Sequence, residues 1–135
     1  MFWGAISEKG KIHFQSLKKK INSLTFSEFL RDDALPIIRE KHGPGFCLQL
    51  DNAPPHQGHT IDLIEKKMIR TLTWPPQSPD LNPVEQIWLW MATKLKGVLF
   101  NNIHELEEEV QALWDRIPED LFWAIFVKFK KKFYG

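Results

Sequence analysis

Two hydrophobic periods run along this chain. The runs "MFWGAIS" and "KIHFQSL" flank Glu8-Lys9-Gly10, and short apolar runs around a glycine-bearing turn predict a β-hairpin. In "TFSEFLRDDALPIIREKHG" the period lengthens: Phe26, Phe29, Leu30, Ala34, Ile37 and Ile38 share one helical face. Thr25 with Glu28 three residues later predicts a capping box at its start. Pro36 removes one helix hydrogen bond and crowds the carbonyl one turn back, so a kink or division is expected there. Gly43-Pro44-Gly45 closes the element.

From Phe46 to Leu50 the pattern predicts a short buried strand, with positions 47, 49 and 51 on one face. A helix is expected to start between Pro55 and Thr60, with Ile61, Ile64 and Met68 inward. "RTLTW" predicts another strand, closed by Pro75-Pro76 and followed by a tight polar loop. Val84, Ile87, Trp88, Met91 and Leu95 then stripe a helix that opens at Pro83. Asn102 and Glu105 mark a further helix start, with Ile103, Leu106, Val110, Leu113 and Trp114 inward, and Pro118 opens a last helix carrying Leu121, Phe122, Ile125, Phe126 and Phe129. Strands alternating with helices predict an α/β class, and 135 residues suit a single domain, 1–135, with its C-terminal helices over 102–132.

Composition narrows the classes. The chain is 43% hydrophobic with six Trp and ten Phe, which argues against disorder. A net charge of +1 does not by itself indicate a nucleic-acid partner, and the clusters at Lys18–Lys20 and Lys128, Lys130–Lys132 read as solvated surface ahead of a phosphate-binding patch. Cys47 is the sole cysteine, which excludes a disulfide framework and a Cys-based zinc site and fits an intracellular setting. No apolar run approaches the ~20 residues needed to span a bilayer, and "MFWGAIS" lacks the features of a signal peptide. No membrane association is expected.

Candidate chemistry rests on two carboxylates. Asp51 falls at the C-terminal end of its strand, where ligands of α/β sheets usually bind. Glu85 falls in the first turn of a helix. Their separation in sequence makes any meeting a tertiary one. Two hard oxygen ligands suit Mg²⁺ together with phosphate oxygens, and a two-ion site of this kind stabilises both oxygens of a phosphoryl transfer. Simpler roles stand beside this one. Asn82, Pro83, Val84 and Glu85 fit N-cap to N3 of a helix, and Asp51-Asn52 fits an Asx-turn. Asp80 fits a turn, and His56 and His59 fit surface or hydrogen-bonding positions near a helix start. Asp32 and Asp33 lie on the first helix, outside any matching motif.

"LQLDNAPPH" followed by "LTWPPQSPDLNPVEQIWLWMATKL", with "WGAISEKGKIHF" ahead of them, resembles the catalytic core of mariner-superfamily transposases, a branch of the DDE family. The likeness is strongest over residues 2–96. It implies a ribonuclease-H-like mixed sheet flanked by helices and two divalent ions, Mg²⁺ or Mn²⁺, held by three acids. It further implies DNA as partner, with other transposase subunits, and nuclear residence in a eukaryote. By motif position Asp51 matches the second acid and Glu85 the third, for both metal binding and catalysis. Asn52, Pro54 and His56 belong to the first motif, and Pro79, Asp80, Asn82 and Pro83 to the second, where they are expected to shape loop and helix entry. The gap between the motifs is one residue shorter than the commonest mariner-type spacing.

No position here matches the first acid, which in the family lies on a central strand ahead of the "WG" hairpin. The expectation is therefore a partial catalytic domain, with that first central strand missing, inactive alone. The alternatives are a non-catalytic, transposon-derived DNA-binding remnant with salt-sensitive phosphate contacts, and a metal-independent two-carboxylate glycosidase.

Overall fold

A computed structural model describes residues 1–50, 54–71 and 83–134. They fall into two compact units, Met1–Ser78 and Pro79–Gly135.

The first unit opens with the expected antiparallel hairpin of β1 (Phe2–Ser7) and β2 (Gly10–Ser16). Gly10 turns the chain at φ +117°, a conformation that L side chains rarely adopt. The register shifts between Ala5 and Ile6: Ala5 faces His13 while Ile6 faces Lys11, so Ile12 is the extra residue of a β-bulge. The bulge has a consequence for the core. Strict alternation would put Ile12 on the face of Phe14, but Ile12 instead joins Trp3 and Leu17 in the main apolar cluster. Phe14 stacks on Phe2 at 5.6 Å.

Helix α1 (Ser23–Phe29) runs through a π-helical turn, Leu30–Ala34, into α2 (Leu35–His42). The expected division thus occurs one turn ahead of Pro36, which sits in the first turn of α2. Proline has no N–H and its ring crowds the carbonyl four residues back; the wider π turn accommodates both. The start of α1 differs from the expectation. Asn22, not Thr25, is the N-cap: its side chain accepts from the Thr25 N–H at 3.0 Å, and the Thr25 hydroxyl accepts from the Asn22 N–H at 2.9 Å. Thr25 therefore plays the N3 part of a box that begins three residues earlier. At the other end Gly43, at φ +99°, closes α2, and the Lys9 ammonium donates to the His42 carbonyl at 2.6 Å, where the helix dipole favours a cation.

Phe26, Leu30 and Leu35 are fully buried and share a cluster with Trp3, Ile12, Leu17, Phe29, Ala34 and Ile38. Phe46, Leu48, Leu50, Leu63 and Ile69 pack against its edge. Leu48 and Leu50 face this core while Cys47 is exposed, the alternation expected of residues 46–50. The strand expected over 46–50 takes part, among the described residues, in one parallel bridge between Leu48 and Thr71, and residues 72–74 of the strand expected over 70–74 lie outside the described residues. The Leu48 N–H donates to the Arg70 carbonyl at 2.8 Å. A ladder needs successive pairs, and among the described residues the hairpin does not supply them: its two strands pair with each other.

Helix α3 (His59–Lys66) also turns a different face inward. Thr60 is fully buried and Leu63 packs on the core, whereas Ile61 is exposed and Met68, at φ +53° beyond the helix end, is 88% exposed.

The second unit contains α4 (Pro83–Leu95), α5 (Ile103–Asp115) and α6 (Glu119–Tyr134). Its core side chains, among the described residues, are Ile87 and Met91 of α4, Val110, Leu113 and Trp114 of α5, Ile117, and Phe122 and Ile125 of α6. These follow the helical stripes of the sequence except at Ile103, which is exposed. Asn102 caps α5 by accepting from the Glu105 N–H at 2.9 Å, and the Glu105 carboxylate reaches back to the Asn101 N–H at 3.0 Å.

Replacing Asn22 by Ala removes the N-cap acceptor of α1 and should cost about 1 kcal/mol. Chemical denaturation should show a lower midpoint with an unchanged slope.

Candidate active site

The motif "DNAPPH" leaves the core-facing segment that ends at Leu50 and leads into α3. Asp51 and Asn52 lie outside the described residues, as do Asp80 and Asn82. Pro54–His56 forms a short 3₁₀ turn. The His56 ring lies against the fully buried Phe26 ring at a centroid distance of 4.6 Å, so α1 provides the floor on which this part of the motif rests.

A group of polar contacts, none of them evident from the sequence, ties the end of the motif to the start of α1. The Ser23 hydroxyl donates to the Gln57 carbonyl at 2.6 Å and accepts from the His59 N–H at 2.7 Å. The Thr60 hydroxyl donates to the Pro55 carbonyl at 2.6 Å and lies 3.3 Å from the Ser23 carbonyl. Gly58, at φ +52°, makes this approach possible: a Cβ there would stand 3.0 Å from the Ser23 hydroxyl oxygen. Ser23, Gly58 and Thr60 were not singled out by sequence pattern. The only local signal was a glycine just ahead of a helix start, and its partner is far away in the chain.

Two residues before Asp51, the Gln49 side-chain nitrogen is buried with no hydrogen-bond partner. On the strand period it belongs to the Asp51 face rather than the core face of Leu48 and Leu50.

Glu85 is the third residue of α4, half-buried, after a buried Pro83. Pro at the first helical position and Glu at the third match the expected helix entry. This position suits both roles weighed from sequence, a helix-start acceptor and a ligand at the end of a loop.

Asp32 is engaged locally. Its carboxylate is paired side-on with the adjacent Arg31 at 2.8 and 3.0 Å on an exposed turn. The hydrogen bond from Arg31 holds it below the usual carboxylate range.

Among the described residues no three His, Cys, Asp or Glu side chains are grouped so as to hold a metal ion. The donor type of Asp51 and Glu85, hard carboxylate oxygen, nevertheless fits Mg²⁺ or Mn²⁺. No helix among the described residues is long and apolar enough to cross a membrane.

The family described as DDE superfamily endonuclease matches residues 1–107. The chain is 30% identical over 119 residues to the Tcb1 transposable-element transposase of Caenorhabditis briggsae, a match covering 87% of this chain and 44% of that protein. It therefore spans less than half the length of this curated relative. Among solved structures it is similar to the Mos1 transposase paired-end complex with left transposon end, with a TM-score of 0.81, 19% identity, and coverage of 94% of this chain and 39% of that one. It is also similar to the Mos1 transposase catalytic domain with Raltegravir and Mg, with a TM-score of 0.72, 18% identity, and coverage of 91% of this chain and 66% of that one. Both likenesses show the fold, a ribonuclease-H-like α/β architecture.

Replacing Gln49 by Leu removes a buried nitrogen that has no partner and keeps a side chain of similar size. Because an unpaired buried donor costs roughly 1–3 kcal/mol, the variant should melt at a higher temperature by calorimetry.

Proposed function

The chain belongs to the DDE superfamily endonucleases of transposable elements, and from that premise we propose that it forms part of a single catalytic domain that cuts and joins DNA at transposon ends by divalent-metal-dependent phosphoryl transfer. Asp51 and Glu85 are the acids carried over by motif position. The observation that supports this most is the agreement of the family match, residues 1–107, with both motifs in their expected order. The Mos1 structures similar in fold include transposon-end DNA in one case and Mg in the other, which supports DNA as partner and Mg²⁺ or Mn²⁺ as cofactor.

When bound, such a cation neutralises charge on the phosphate oxygens. The chain's own part is to present two carboxylates: Asp51, which follows in sequence the core-facing segment ending at Leu50, and Glu85 on the first turn of α4. His56, resting on Phe26, holds the first motif against the core. Asn52, Asp80 and Asn82 are the neighbouring motif residues carried over with them by position.

The reading also holds that a further strand, from a longer chain or a partner subunit, carries the first acid. It would lie between the hairpin and the 46–50 segment, and the isolated Leu48–Thr71 bridge, with no strand pairing among the described residues beyond the hairpin, supports this. The 135 residues alone are then expected to bind metal weakly and to cut DNA poorly.

The test is a Mn²⁺ titration followed by electron paramagnetic resonance, alongside nicking of supercoiled DNA. Asp51→Asn and Glu85→Gln should each weaken Mn²⁺ binding, and adding the strand-bearing segment should raise nicking by the unsubstituted chain only. DNA binding without any Mn²⁺ site would instead favour the non-catalytic remnant.

A further inference from the structure

Helix α3 ends in a turn that glycine usually makes. The Ile69 N–H donates to the Ile64 carbonyl at 3.0 Å and the Met68 N–H to the Glu65 carbonyl at 3.1 Å. These are the paired bonds of a Schellman stop, in which the residue just past the cap is left-handed. That residue is Met68, at φ +53°, the sole non-glycine residue at positive φ among the described residues. A β-carbon is disfavoured in this conformation, and the side chain gives the fold little packing in return, because Met68 is 88% exposed. The apolar contact that accompanies such a stop falls instead to Ile69, which packs against the core.

The turn is held in place on its far side. The Arg70 guanidinium donates to the Gly45 carbonyl at 3.0 Å, and the Arg70 carbonyl accepts from the Leu48 N–H at 2.8 Å. An apolar side chain is thus projected into solvent from anchored backbone. Cations surround it. Residues 65–70 carry Lys66, Lys67 and Arg70 against Glu65, and all four are exposed. Ammonium groups beside an unbranched apolar side chain complement a DNA duplex, where phosphates flank sugars and base edges. Methionine is among the apolar side chains that proteins press between base steps in the minor groove. Lys66 and Lys67 also offset the dipole at a helix C-terminus, a role that shows in stability and not in affinity.

We propose that the turn Lys66–Arg70 is a DNA-contacting surface, in which Lys66 and Lys67 meet backbone phosphates and Met68 meets the sugars and base edges between them. The proposal rests on the reading of DNA as partner given above and is independent of the metal reading. At position 68 binding and stability then pull in opposite directions, since glycine would suit the backbone better and would leave nothing to touch the duplex.

The experiment is fluorescence anisotropy of a labelled short DNA duplex with the 135-residue chain over a range of NaCl concentrations, with thermal melting followed by circular dichroism. The variants are Met68→Gly and the pair Lys66→Gln with Lys67→Gln. The lysine pair variant should bind more weakly and lower the slope of log affinity against log salt by about 2. Met68→Gly should bind several-fold more weakly with the slope unchanged, because an apolar contact releases no counterion, and should melt no lower than the original. DNA binding by the original chain with an unchanged slope in the lysine variant, or with unchanged affinity in Met68→Gly, overturns this surface and leaves DNA as partner standing. Weaker binding by Met68→Gly accompanied by a lower melting temperature also overturns it, since loss of fold would then account for the change. No DNA binding by the original chain overturns the DNA reading and this inference with it.

Discussion

Burial of one helical face against a bulged hairpin is the constraint from which the first unit is built. Phe26, Leu30 and Leu35 are removed from water on a face that continues through the π turn, and Trp3, Ile12 and Leu17 meet them from the hairpin side. Full burial of a large apolar side chain is worth roughly 1.5–3 kcal/mol, so this contact outweighs any single polar bond nearby. It also decides the local irregularities. The bulge at Ile12 and the π turn before Pro36 both keep large side chains directed at this core where regular backbone would turn them away.

The same face supports the chemistry. His56 lies on Phe26, and the hydroxyls of Ser23 and Thr60 fasten residues 55 to 60 to the start of α1. A motif that ends in two prolines and a histidine has few conformations to lose. Fixing residues 55 to 60 against a packed helix therefore carries a low entropic cost. This is how an apolar core contributes to a polar site: it supplies a rigid surface on which a few hydrogen bonds set direction.

The second unit follows simpler rules. Its helices bury Ile87, Met91, Val110, Leu113, Trp114, Phe122 and Ile125 as their helical spacing requires, and Asn102 caps α5 where the pattern places a start. Trp88 and Trp114 approach with ring centroids 6.1 Å apart, and Phe122 and Phe126 at 4.9 Å. Glu85 takes its place on α4 from Pro83, whose fixed φ suits a first helical position. Nothing beyond local sequence is needed to put that carboxylate in the first turn.

The hairpin, the helix interrupted near Pro36, the opening of α4 and the family to which the two motifs belong were all determined by the sequence. Each depends on neighbours a few residues apart or on motif residues in a set order. The cap of α1 was misplaced by three residues because Thr25 can serve as N-cap or N3, and only the observed pairing with Asn22 distinguishes them. Tertiary structure alone decided which face α3 buries, which residue caps it, and where Ile12 points. Those outcomes turn on partners 34 to 37 residues away and on the shape of a shared core, and neither leaves a periodic trace in the chain.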